Sequence, residues 1–311
     1  MSTAVPPARA AVRPRSVLFV VIGLALAGLA VWHATRGNGG GAIAQAWAAA
    51  RAAPSWLKAG ALALPAANWA LTSALFFTLT RAYGRVGAGE MGALIGAAGL
   101  YNYLPLRPGL VGRVAYHRAV NGIAVMSSVR VLATTIALSG VGIALLLICS
   151  LGAARLSAPA GKAAVIVAPA LIAALVAGYA RSRELASWRL GAALALRYVD
   201  LLVWTARYAV VFALIGRSLD FSQAAAIAGV SQVVGVIPLA GNGLGLREWA
   251  VGWAAAALPA WYVAGPAAPS TEVGLSADLL HRAAELPAAI VIGLISTAWL
   301  TRRLARAQAP A

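Results

Sequence analysis

Acidic residues are scarce in this chain. Eight Asp and Glu stand against 25 Lys and Arg in 311 residues, and charged residues make up only 11% of the whole. A soluble domain usually carries about a quarter charged residues, so water is not the main solvent here. Cysteine is almost missing. Cys149, inside an apolar run, is the only one; this excludes a disulfide within the chain, argues against a metal-thiolate centre, and leaves a small buried hydrophobe. Three histidines, His33, His117 and His281, lie far apart without carboxylates at metal-ligand spacing, so no metal and no cofactor is expected. Also missing are a strand-borne nucleotide loop, a nucleophile elbow and a dense acidic motif, which argues against membrane enzymes that use metal-bound activated phosphates.

What is present is apolar length. Hydrophobic residues make up 61% of the chain and the mean hydropathy is +0.82. Six stretches, about 16–34, 57–80, 130–151, 162–180, 196–216 and 281–300, approach or exceed the roughly 20 apolar residues that a transmembrane helix needs. The formal charge of +17 sits mainly in short clusters between these runs, as topology signals beside an anionic leaflet do, so nucleic acid is not an expected partner. Arg81, Arg85, Arg113 and Arg118 mark one side, Arg181, Arg183 and Arg189 the next basic loop, and Arg302, Arg303 and Arg306 the end. This alternation predicts a multi-pass protein of a bacterial-type cytoplasmic membrane with both termini in the cytoplasm. The domain reading is a basic cytoplasmic N-terminus at 1–15, one polytopic membrane domain at 16–301 and a basic cytoplasmic tail at 302–311. The first run reads as an uncleaved signal-anchor; cleavage near His33 is the alternative.

Two apolar stretches are too short to cross. They occupy 91–106 and 224–239, and each ends in a proline-glycine cluster. Irregular backbone at membrane depth is tolerated where protein or a wet cavity satisfies it, so segments of about 88–113 and 222–248 are expected to be re-entrant hairpins. A third weak stretch, 249–263, reads as the returning arm of the second. The two hairpins resemble each other: Pro105-Leu106 and Pro238-Leu239 are each followed by glycines and then by an arginine entering a new helix. Three full spans lie between them, and an odd number puts them on opposite sides of the membrane. The predicted fold is therefore an all-α integral membrane protein of six transmembrane helices plus two re-entrant hairpins, arranged as an inverted repeat with its binding site near the midplane.

In the first hairpin Pro105 ends one helix, Gly109 and Gly112 permit close backbone approach, and Pro108 suits the first turn of the next helix. The exposed amides there, with Arg107 and Arg113, would suit a phosphate group. The alternative is that both arginines snorkel to the interface. In the second hairpin Pro238 breaks the helix, and the glycine-rich run through Gly243 and Gly245 leaves backbone groups in need of partners. Arg247 enters the following helix. Glu248, in its first turn, satisfies the helix dipole, pairs with an arginine of the other hairpin, or carries a coupling proton. Asp200 and Arg207 lie seven apart on one helical face with Arg197 within a turn of Asp200, and His281 and Arg282 precede Glu285 by one turn. Each intramembrane charge costs about 2.5 to 3.5 kcal/mol at a helix centre, so these groups either fix helix register as buried pairs or serve translocation. Arg130 and the tryptophans Trp32, Trp56, Trp188 and Trp299 read as interface residues.

Asn102 followed by Pro105-Leu-Arg107-Pro-Gly109 and Arg113 resembles the Pro-x-Arg-x-Gly-acid-x-x-Arg signature of the lysylphosphatidylglycerol synthase transmembrane region, the flippase-like domain family. The run from Pro238 through Gly243 and Gly245 to Glu248 resembles its second signature, Pro-x-x-Pro-Gly-Gly-x-Gly-x-x-Glu, and His281-Arg282 is similar to the start of its final helix. Leu110 stands where the family usually has an acid, and Gly241 and Asn242 replace the usual Pro and first Gly, which suggests a divergent substrate. The resemblance implies a stand-alone flippase-like transporter, not an enzyme, without the soluble aminoacyl transferase. It would move a lipid with a phosphate-bearing headgroup. Substrate binding is carried over to Asn102, Arg107, Gly109, Arg113, Gly243, Gly245, Arg247, Glu248 and Arg282, with Asp200, Arg207 and Glu285 balancing charge or coupling. The alternatives are a non-transporting membrane partner of a lipid- or glycolipid-modifying enzyme and, third, an integral membrane transferase, for which no nucleophile or metal constellation is present.

Overall fold

A computed structural model describes residues 24–32, 35, 42–104, 108–236, 243–261 and 270–308, and among these residues every regular element is a helix. In chain order they are α1 (24–32), α2 (Ala42–Ala52), α3 (Ser55–Thr80), α4 (Ala88–Tyr101), α5 (Pro108–Val120), α6 (Val125–Ala153), α7 (Pro159–Ser182), α8 (Trp188–Leu214), α9 (Phe221–Val236), α10 (Leu246–Trp261) and α11 (Thr271–Gln308). In a bilayer the helix is the one open-chain element that satisfies its own backbone, and these Ala- and Leu-rich runs favour it.

Among the described residues four helices are long and apolar enough to cross a membrane: α3, α6, α7 and α11. Three of them match predicted spans. The last differs, because the helix expected at 281–300 starts at Thr271. Its added turns pack on α10 where Gly274 meets Gly252, with no room for a Cβ at Gly274. The predicted fifth span, α8, has 27 residues and thus a length of about 40 Å. It carries Arg189, Arg197, Asp200 and Arg207, which keeps it out of the apolar set. Of the predicted first span, only 24–32 lies among the described residues.

The two short stretches are helices of 14 residues (α4) and 16 residues (α9), about 21 and 24 Å long against a hydrocarbon core of about 30 Å. Each is followed by another short helix, α5 of 13 residues and α10 of 16. The first break opens with a turn in which Tyr103 N–H donates to the Leu100 carbonyl. Pro105 and Pro238, the predicted breakers, lie outside the described residues, as does Arg107. Gly243 and Gly245 adopt φ of +72° and +82° just before α10, the left-handed conformation that excludes regular helix and suits glycine. Gly109 performs the predicted close approach: a Cβ there would lie 2.4 Å from the Ala98 carbonyl oxygen. Gly112 does not, since a Cβ there would meet nothing within 4 Å; it borders an open pocket between α4, α5 and α11.

The helices form one bundle. α4 packs on α3, α5 and α11, and α9 packs on α8, α10 and α6. A large core joins α6 to α11 around Tyr198, Tyr208, Phe212 and Ile227. A buried polar knot holds the other end of α4: Glu90 accepts from Tyr116 (3.1 Å) and Asn121 (3.0 Å), pairs with Arg303 (3.1 Å) and reaches back to the Gly87 amide.

Asp220 caps α9 in the reciprocal manner of a capping box. Its Oδ1 accepts from Ser222 N–H at 2.8 Å, while Gln223 Oε1 accepts from Asp220 N–H at 3.0 Å. Lys162, opening α7, pairs with the same carboxylate at 2.7 Å. Burial alone would raise this acid, but Lys162 and Ser222 hold it below its ordinary value. A depressed native pKa stabilises the fold above the ordinary carboxylate range, and that contribution fades as pH falls through the depressed value. Asp220→Ala is expected to cost about 1 kcal/mol at neutral pH. Thermal unfolding in mild detergent should show the difference from wild type shrinking below about pH 5.

Candidate functional site

Four of the eight acids, Asp200, Glu248, Asp278 and Glu285, meet four arginines inside the bundle. The chain of contacts starts on α8, where Arg197 ion-pairs with Asp200 one turn on and donates to Gln232 of α9 at 3.0 Å. Asn68 of α3 donates to Asp200 Oδ1 at 2.6 Å and accepts from Arg207 at 3.0 Å. Arg207 pairs in turn with Glu285 of α11 at 2.9 Å. Glu285 also accepts from the Tyr103 hydroxyl at 2.9 Å, and Arg247 of α10 stands 3.8 Å away. Arg247 donates to Asp278 at 3.1 Å; Tyr208 donates to the same carboxylate at 2.7 Å, with the Ser231 hydroxyl at 2.7 Å from its own oxygen. Arg282 lies 3.9 Å from Asp278 and forms an ion pair with Glu248. Signs alternate along the whole ladder, from Arg197 to Glu248.

Helix geometry sets this register. Asp278, His281, Arg282 and Glu285 recur at the spacing that puts side chains on one face of α11, and Arg197, Asp200, Trp204 and Arg207 do so on α8. His281 stacks against two rings, Tyr208 at 4.7 Å and Trp204 at 5.2 Å. Arg207 covers Trp204 at 4.1 Å. Burial of an uncompensated charge costs several kcal/mol, so an equal number of opposed, hydrogen-bonded groups is what allows the cluster to exist.

One face of the ladder borders a cavity of about 280 Å³ between α3, α4, α8 and α11. Asn68, Asn102, Tyr103, Arg197, Asp200, Arg207, Gln232 and Glu285 supply polar wall; Pro65, Ile95, Leu100 and Ile292 supply apolar wall. Asn102 Oδ1 is buried there without a hydrogen-bond donor among the described residues.

The predicted residues divide. Arg247, Glu248, Arg282, Asp200, Arg207 and Glu285 converge. Glu248 pairs with α11 rather than with the first hairpin, because α10 lies along α11. Arg282 is tied to Glu248 and not to Glu285. Gly243 and Gly245 shape the entry to α10, and Gly109 sits at the α4–α5 crossing. Arg113 is elsewhere: it is buried with its guanidinium 3.8 Å over the Phe76 ring, beside His117 and Ser128, and does not line the cavity. Sequence reading missed Asn68, Gln232, Tyr208 and Asp278. Asp278 had a signal, three, four and seven residues before His281, Arg282 and Glu285; the neutral residues had none. Among the described residues no group of His, Cys, Asp or Glu is arranged to hold a metal ion. No family model, curated protein or solved structure matches the chain.

Proposed function

We propose that this chain is a flippase-like transporter that moves a lipid with an anionic, phosphate-bearing headgroup across the cytoplasmic membrane, and that its role is translocation rather than catalysis. The observation that carries the reading is the cavity. Its 280 Å³ amounts to about nine water volumes of ~30 Å³ each, enough for a headgroup. Arginines on one wall suit a phosphate, and the apolar wall suits the glycerol and first methylenes of a lipid.

Alternating access needs two related halves, and the packing supports an inverted repeat. Exchanging α3 with α8, α4 with α9, α5 with α10 and α6 with α11 maps every packed pair among these helices onto another packed pair. Sequence agrees at one offset, 133 positions: Glu90 and Gln223, Gly96 and Gly229, Pro105 and Pro238 (223 less 90, 229 less 96, 238 less 105). Glu90 and Gln223 both reach back to the amide three residues before them. Gly96 and Gly229 both sit where a Cβ would collide with the partner helix, α11 in one half and α6 in the other. In this arrangement the α4–α5 and α9–α10 pairs are re-entrant hairpins entering from opposite sides, α1 and α8 complete the six spans, and both termini are cytoplasmic.

The test is reconstitution in phosphatidylcholine vesicles containing fluorescent phosphatidylglycerol, read by dithionite quenching. Wild-type protein is expected to exchange the label between leaflets, and Arg207→Ala to slow exchange at least tenfold. Equal rates in protein-free and wild-type vesicles would overturn the reading.

A further inference from the structure

The ladder is electrically complete before any substrate arrives. Arg197, Arg207, Arg247 and Arg282 balance Asp200, Glu248, Asp278 and Glu285, and all eight are largely buried. A phosphate entering the cavity adds negative charge to a neutral cluster in a low-dielectric setting, which costs several kcal/mol unless a positive charge arrives with it. A proton can supply that charge on a single carboxylate.

We infer that each anionic headgroup entering the cavity is accompanied by one proton, taken up by the Glu285 carboxylate. This rests on the transporter reading above and names what the same site carries besides lipid. Of the two acids that line the cavity, Glu285 is the more open, its side chain 15% exposed against 3% for Asp200. Its nearest cation, Arg207 at 2.9 Å, lies in the same wall. A phosphate that takes Arg207 removes that partner from Glu285. Asp200 is held by Arg197 and the Asn68 amide, which line the same cavity, so its lower exposure is what sets it apart from Glu285.

The groups facing Glu285 come from every helix that closes on it. Arg207 comes from α8, Tyr103 from the end of α4 and Arg247 from α10 at 3.8 Å; His281 of its own helix is 3.9 Å away. From α3 the nearest group is neutral Asn68, which shares Arg207. Arg51 of α2 and Lys58 of α3 line a separate pocket. Once the carboxyl is neutral, Oε1 still accepts from the Tyr103 hydroxyl, and the new O–H on Oε2, the oxygen Arg207 leaves, can donate to the phosphate that has taken Arg207, so protonation leaves no buried donor stranded. The step balances simply: carboxylate plus proton gives carboxylic acid as phosphate enters, and the proton leaves with the lipid on the other side.

The experiment uses full-length protein in phosphatidylcholine vesicles with fluorescent phosphatidylglycerol, a trapped pH dye, and buffers free of sodium and divalent cations. In wild type, lipid movement should displace protons at a fixed ratio, and its rate should fall by up to about tenfold per pH unit above the titration of the carrier group. In Glu285→Gln, whatever lipid movement remains is expected to occur without proton displacement and with a flat pH profile, because its empty ladder already holds one surplus positive charge. Glu285→Asp should retain the wild-type slope. The wild-type proton-to-lipid ratio needs no variant, so a misfolded Glu285→Gln leaves the test intact. Lipid movement with no proton displacement, or with the same slope in wild type and Glu285→Gln, overturns proton coupling and leaves the transporter standing. No lipid movement in wild type overturns both.

Discussion

Asp278→Leu is expected to destabilise the protein by about 3 to 5 kcal/mol, the range for breaking a buried ion pair by removing one partner. Asp278 has no exposed surface and holds Arg247 at 3.1 Å and the Tyr208 hydroxyl at 2.7 Å. Leucine would leave Arg247 buried with the His281 ring nitrogen at 3.4 Å and the more distant Glu285 carboxylate at 3.8 Å, and would leave the Tyr208 hydroxyl with Ser231 in place of a charged acceptor. The double variant Arg247→Leu, Asp278→Leu removes both charges and is expected to be more stable than Asp278→Leu alone, since isosteric apolar pairs replace buried ion pairs at little cost. Denaturation of the four proteins of the cycle in mild detergent gives the coupling energy directly. A single-variant cost under about 1 kcal/mol would mean that water, not Arg247, sustains this carboxylate.

The same residue shows where sequence reading stops. Apolar length alone located α3, α6 and α7 to within a few residues, because a span is a composition problem. The start of α11 was misplaced by ten residues, since Asp278 and Glu272 lower local hydropathy while packing on α10 keeps the helix going. Charged members of the site were legible, because an acid or arginine inside an apolar run needs a buried partner, and spacing revealed several. Which partner each takes was not legible: Glu248 meets Arg282, and Arg113 rests on Phe76, through helix packing that no local pattern encodes. Asn68 and Gln232 were invisible for a simpler reason. Neutral amides carry no charge cost to flag them, yet they bridge Arg207 to Asp200 and steady Arg197.

Gly109→Ala and Gly112→Ala make the same chemical change three residues apart on α5, and opposite outcomes are expected. At Gly109 the new methyl would lie 2.4 Å from the Ala98 carbonyl oxygen and 2.6 Å from Ala98 Cα. Both are backbone atoms of α4, so no rotamer change relieves the contact, and the helices must part. Overpacking of this kind costs about 1 to 3 kcal/mol or more, and small residues are what allow helices to close in a membrane. At Gly112 a methyl meets nothing within 4 Å, and alanine in an exposed helical position is favoured over glycine by up to about 1 kcal/mol. Unfolding temperatures in detergent should therefore fall for Gly109→Ala and hold or rise for Gly112→Ala. The consequence reaches the site, because the end of α4 that Gly109 touches also carries Asn102 and Tyr103, and Tyr103 is the first hairpin's hydrogen bond to Glu285. Wedging α5 away moves that hydroxyl, so lipid exchange should slow in Gly109→Ala even below its unfolding temperature, while Gly112→Ala keeps the wild-type rate. Equal stabilities for the two variants would show that α4 and α5 do not close on each other as described.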